Sequence, residues 1–256
     1  MKNIYLFTII LLIGTFIASC GTDNGNSGKN TIVLVDISKS IKSDLLDWYI
    51  QTIEEDICKN LTQFDKIKVL PIDGASETAS KPLLDINLFE HRNEWDVMGL
   101  NANETGKLKK EAFVKFIRSK MQELRIAIAE AKMHRKEVGN STDILGALAV
   151  AQEKFEIDYS NSIIIMSDME QYSGNCKMCV NGKAATWLSE TVDVKYNNIS
   201  KFSIAIITGE QMEMSKQYYN EIKNYWNEFF KVQGVSSISY QGADASQLKK
   251  SILANN

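Results

Sequence analysis

Residues 32 to 40 read Ile-Val-Leu-Val-Asp-Ile-Ser-Lys-Ser, and the meaning of this stretch decides the fold. Four apolar residues of high β propensity, Ile32 to Val35, run unbroken into Asp36. A strand buried on both faces reads this way, because a parallel sheet covered by helices leaves neither face to water. The carboxylate marks where such a strand reaches the end of the sheet. Ser38 and Ser40 follow two and four residues later, so a tight loop can turn one carboxylate and two hydroxyls toward a common point. These are hard oxygen donors, of the kind Mg2+ takes in octahedral geometry at about 2.0–2.1 Å. A strand end followed by a serine helix cap accounts for the same residues without a metal.

Working outward, the pattern recurs. Ser162 to Met166, SIIIM, is a second buried strand, and it ends in Ser167 and Asp168. Further strands are expected over Lys66 to Ile72, broken at Pro71, and over Pro82 to Phe89, Phe202 to Ile207 and Val235 to Tyr240. Between them the apolar residues take helical spacing: about Asp44 to Lys59, Lys107 to Arg135, Ile144 to Phe155, Met212 to Lys231 and Ala245 to Leu253. The segments Lys66–Ile72 and Pro82–Phe89 have no helix between them, so they should form an antiparallel hairpin at a sheet edge. Elsewhere strands alternate with helices. The expected fold class is therefore α/β: a Rossmann-like three-layer fold with a mostly parallel central sheet, one antiparallel edge strand and helices on both faces. In such sheets ligands bind beyond the carboxyl ends of the strands, where strand order reverses. Asp36 and Asp168 would then share one rim, however far apart they lie in the chain.

The 256 residues carry 29 Lys plus Arg against 32 Asp plus Glu, without a basic run outside the helical segments, so nucleic acid is not an expected partner. At the N-terminus Lys2 precedes an uncharged apolar run, Ile4 to Ile17, with the layout of an export signal. The run then reads Ile17-Ala18-Ser19-Cys20, which resembles the lipobox of bacterial lipoproteins. That resemblance implies cleavage after residue 19, acylation of Cys20 and anchoring at the bacterial cell envelope by lipid, on the periplasmic face or at the cell surface. An uncleaved spanning helix is the alternative, but the run falls short of the ~20 residues such a helix needs. Residues 20–30, rich in Gly, Asn and Ser, have nothing to bury and are expected to form a flexible tether before a domain over 31–256.

Cys176 and Cys179 form a CxxC in a Gly- and Asn-flanked loop, while Cys58 stands alone in an expected helix. In an exported protein a Cys176–Cys179 disulfide or two free thiols come first. Zinc would require two more ligands, and only His91 and His134 are on offer; redox catalysis would place the CxxC at a helix start.

Taken together, Asp36, Ser38 and Ser40 in VDISKS, Thr142 in NSTDILGAL and Asp168 in IIIMSDME resemble the metal-ion-dependent adhesion site of the von Willebrand factor type A domain. The resemblance covers about Thr31 to Leu253. It implies one divalent cation, Mg2+ first and Mn2+ or Ca2+ as alternatives. Ser38 and Ser40 would bind it directly, Thr142 directly or through water, and Asp36 and Asp168 mostly through water. Hydroxyl ligands leave the cation under-neutralised, so an acidic residue of a protein partner completes its shell. Ser141 competes for the role given to Thr142, and Asp143 is either a ligand or a first-turn helix acid. The resemblance implies a binding module and not an enzyme. The enzyme alternative, a phosphatase with Asp36 as nucleophile, lacks the second carboxyl acid: its position is held by Ser38. A metal-free scaffold of the same fold is the remaining alternative.

Overall fold

The computed structural model describes residues 28–74, 76, 81–91, 102–134, 141–173, 176–177, 196–209 and 216–242. The expected signal peptide, Cys20, Cys179 and the last helix, Ala245 to Leu253, lie outside them.

In chain order the elements are β1 (Lys29–Asp36), α1 (Ser43–Thr52), β2 (Lys66–Ile72), β3 (Leu84–Asn87), α2 (Ala102–His134), α3 (Ile144–Gln152), β4 (Ser160–Met166), β5 (Tyr172–Ser173), β6 (Cys176–Lys177), β7 (Ser203–Thr208), α4 (Lys216–Val232) and β8 (Ile238–Gly242). The main sheet is ordered β3-β2-β1-β4-β7-β8. All its pairings are parallel except β2–β3, which is antiparallel and places β3 at an edge. The protein is thus an α/β protein of the Rossmann-like, three-layer kind, as the alternating sequence pattern requires.

Side chains of β1 leave the sheet alternately. Ile32 and Leu34 pack with α3 and α4, whereas Val33 and Val35 pack with α1 and α2. All four are fully buried. A strand with apolar residues at every position is the only kind that can satisfy two cores at once, and each such side chain contributes about 1.5–3 kcal/mol by its burial.

Three local expectations are revised. Strand β1 begins at Lys29, inside the stretch assigned to the tether: Asn30 is buried, and its amide donates to the Lys154 carbonyl at 2.8 Å and to Asn161 Oδ1 at 2.8 Å. Strand β2 is not broken at Pro71, which pairs in register with Val35. Odd-numbered residues of β2 face β3, as the Leu83 amide bond to the Val69 carbonyl shows, and β3 has already ended beside Val69. The missing N–H of Pro71 therefore has no partner to lose. The first helix does not run regularly to Lys59. After Thr52 it widens into a π turn, Ile53–Ile57, followed by a 3-10 turn, Cys58–Asn60. The Cys58 amide bonds to the Ile53 carbonyl, five residues back. In an α-helix these two would point about 140° apart; the wider turn lets both be fully buried in one core.

Candidate metal centre

Register brings the two acids together. Val35 pairs with Met166 across β1 and β4, so Asp36 and Ser167 leave the sheet side by side, with Asp168 one residue beyond. From β1 the sheet order runs one way to β2 and the other way to β4, so this pair of strand ends is the crevice where the order reverses.

Each strand end then turns by the same device. Asp36 Oδ1 accepts from the Ser38 amide at 2.9 Å, and Asp168 Oδ1 accepts from the Glu170 amide at 2.9 Å. An aspartate capturing the N–H two residues on makes an Asx turn, which swings the chain off the sheet. In the first turn the Ser38 and Ser40 hydroxyls hydrogen-bond to each other at 2.9 Å. Ser38 is buried and Ser40 exposed, so the pair reaches from the interior of the rim to its surface.

Ser167 ties the acids to each other. Its hydroxyl donates to Asp36 Oδ2 at 2.7 Å, lies 3.5 Å from Asp168 Oδ1 and accepts from the Met169 amide at 3.0 Å. Asp36 is fully buried and Asp168 nearly so. Burial pushes the Asp36 carboxyl above the ordinary carboxylate range; hydrogen bonds from Ser38 and Ser167 and the more distant charge of Lys132 only partly oppose it. Among the described residues no Lys, Arg or His forms an ion pair with Asp36. Tyr49, fully buried on α1, is raised by burial and further by the negative charges of Asp36 and Asp168.

Thr142 reaches the rim through its backbone. It exchanges two hydrogen bonds of 2.8 Å with Tyr172, four residues after Asp168, while the Asp143 amide donates to the carbonyl of Asp73 at the end of β2. Asp143 itself is the N-cap of α3: its Oδ1 accepts from the Gly146 amide at 3.0 Å and from Gln171 Nε2 at 3.2 Å. Asp143 thus caps α3 through Oδ1.

Two residues of the site carried no signal in the sequence. Ser167 is one, since a single serine after a strand is commonplace. Gln171 is the other: fully buried, it accepts the Ile144 amide at 2.7 Å and the Leu145 amide at 3.2 Å through Oε1, clamping the start of α3 to the loop after β4. That loop is also strained. Met169 has φ of 65°, a left-handed conformation that costs a non-glycine residue about 1–2 kcal/mol, and its carbonyl is held by Trp226 Nε1 at 2.9 Å. The loop continues into the small hairpin β5–β6, unforeseen in the sequence, which contains Cys176. The Cys176–Cys179 pairing lies outside the described side chains.

The donor set is made of hard oxygen atoms, the kind that Mg2+, Mn2+ and Ca2+ take as ligands. Among the described residues no three His, Cys, Asp and Glu side chains gather as a metal-binding group. The candidate set contains only two carboxylates, its other donors being hydroxyls. No protein-family model matches the chain, and no curated protein matches it.

Proposed function

We propose that this rim holds one divalent cation, Mg2+ first, and that the protein is a binding module of the von Willebrand factor type A kind, held at a bacterial envelope membrane through Cys20. Ser38 and Ser40 supply direct ligands, Thr142 completes the protein side, and Asp36 and Asp168 act mostly from behind water. The observation that carries this is a fully buried Asp36, with no ion pair among the described residues, whose turn brings the hydrogen-bonded hydroxyls of Ser38 and Ser40 together at the rim. A buried carboxylate without a cation is costly, and a metal ion just outside it removes the cost. When bound, the cation supplies a Lewis-acidic position open to an oxygen from outside. Because the protein ligands are largely neutral, a partner's Asp or Glu is the favoured guest.

The phosphatase alternative would use the same acid but lacks the second carboxyl group, since Ser38 stands in its place.

Calorimetric titration of the purified protein with Mg2+, Mn2+ and Ca2+, alongside Ser40→Ala, tests the metal. Heat and thermal stabilisation in the parent and their loss in S40A are expected. No heat and no stabilisation with any of the three ions would leave only a metal-free scaffold. Capture of envelope proteins with and without chelator then tests the guest, which should be released when the ion is removed.

A further inference from the structure

The end of the domain opposite the rim is shaped for a different contact. Strands β1, β2, β4, β7 and β8 all start at this amino edge, and the chain arrives there at Gly28. Four of the six large apolar side chains exposed among the described residues also lie at this end. Ile157, in the turn between α3 and β4, is 85% exposed, and Val232, the last residue of α4, is 74% exposed. Phe89 follows β3 and stacks on Phe64 at 6.2 Å, beside the Leu88 amide bond to the carbonyl of Asp65 at the foot of β2. Leu108 belongs to the early turns of α2, which runs from this edge, where Phe116 meets His91, toward the rim, where Arg125 meets Asp47. The feet at Phe89, Ile157 and Val232 are spread from the β3 side of the sheet to the β8 side, five strand spacings of about 4.8 Å.

Scattered apolar residues are ordinary; their concentration at the end where the chain arrives is what calls for a partner. Nine Cα steps separate Cys20 from Lys29, a distance of at most about 32 Å. A lipid on Cys20 would therefore hold this edge within reach of the bilayer at high effective concentration, so that weak contacts suffice.

We propose that the amino edge seats on the leaflet to which Cys20 is anchored, with Ile157, Val232 and Phe89 entering the interface. This rests on the anchor put forward under Proposed function. The rim then faces away from that leaflet, since the eight residues of β1 separate the two ends by about 26 Å. The guest carboxylate accordingly comes from a protein reaching across the envelope, not from a neighbour embedded beside the anchor.

The test uses the full lipidated chain on phosphatidylethanolamine/phosphatidylglycerol vesicles doped with dibrominated phosphatidylcholine, which quenches tryptophan by contact. Ile157→Trp, Val232→Trp and, as a control away from the amino edge on α2, Met133→Trp are compared with the parent, whose emission is the background. All three positions are exposed, so each variant should fold. The added emission of I157W and V232W should fall by about half on brominated vesicles, and that of M133W should not change. Equal quenching of all three, or none in I157W and V232W on vesicle-bound protein, overturns the seating, and protection that grows with protein concentration instead assigns the face to a second copy. Failure of the full chain to float with vesicles, while its Cys20→Ser variant behaves identically, overturns the anchor and the seating together.

Discussion

Replacing Asp36 by Asn should change stability in opposite directions with and without metal. In the metal-free protein Asp36 is a fully buried carboxylate whose hydrogen bonds come from neutral groups. Asparagine keeps the acceptor for the Ser38 amide. Its NH2 then faces Ser167, whose hydroxyl can accept it while still accepting from Met169 and can turn its proton toward Asp168. The geometry survives and the buried charge goes, a gain of about 1–2 kcal/mol for a carboxylate only partly compensated. For a domain of this size about 1 kcal/mol moves Tm by about 2–4 °C, so D36N without metal should melt at least that much higher. With Mg2+ at a hundredfold over Kd the parent gains about 2.7 kcal/mol, or about 5–11 °C, and D36N gains nothing. Differential scanning calorimetry in chelator and in Mg2+ reads both. If D36N melts lower than the parent in chelator, Asp36 is not an uncompensated charge; if Mg2+ stabilises D36N as it does the parent, the acid is not part of the centre.

Acidity gives a related result. Because Asp36 is raised in the folded chain, the folded state takes up its proton first as pH falls, so this group's contribution favours folding at low pH and is lost as pH rises through the raised value. The Tm advantage of metal-free D36N over the parent should therefore shrink on acidification toward the ordinary aspartate range, as melting curves across pH will show. Asp143→Ala removes the α3 cap and should cost about 1 kcal/mol, lowering Tm by about 2–4 °C, while leaving the Mg2+ increment in place; losing that increment would make Asp143 a ligand after all. Cys58 is buried and its thiol is pushed up to about 12, chiefly by burial. Its tryptic peptide should thus escape iodoacetamide in native protein and be alkylated rapidly in denaturant, and native labelling would show that the π turn opens.

The residues that form the buried strands and the acids that end them were legible in the sequence, because strand burial and helix periodicity are written in neighbouring residues. Ile32 to Val35 read as a doubly covered strand, and the runs Lys66 to Ile72 and Pro82 to Phe89, with no helix between them, read as an antiparallel pair at a sheet edge. What tertiary structure alone decided is how distant segments meet. The parallel register sets Ser167 against Asp36, and Gln171 clamps α3 to the loop that carries Asp168. Neither has a local signature, since the serine and the glutamine serve partners 131 and 27 residues away. The π turn after Thr52 and the intact strand through Pro71 have the same origin: each follows from which neighbour a backbone group faces, and only packing determines that.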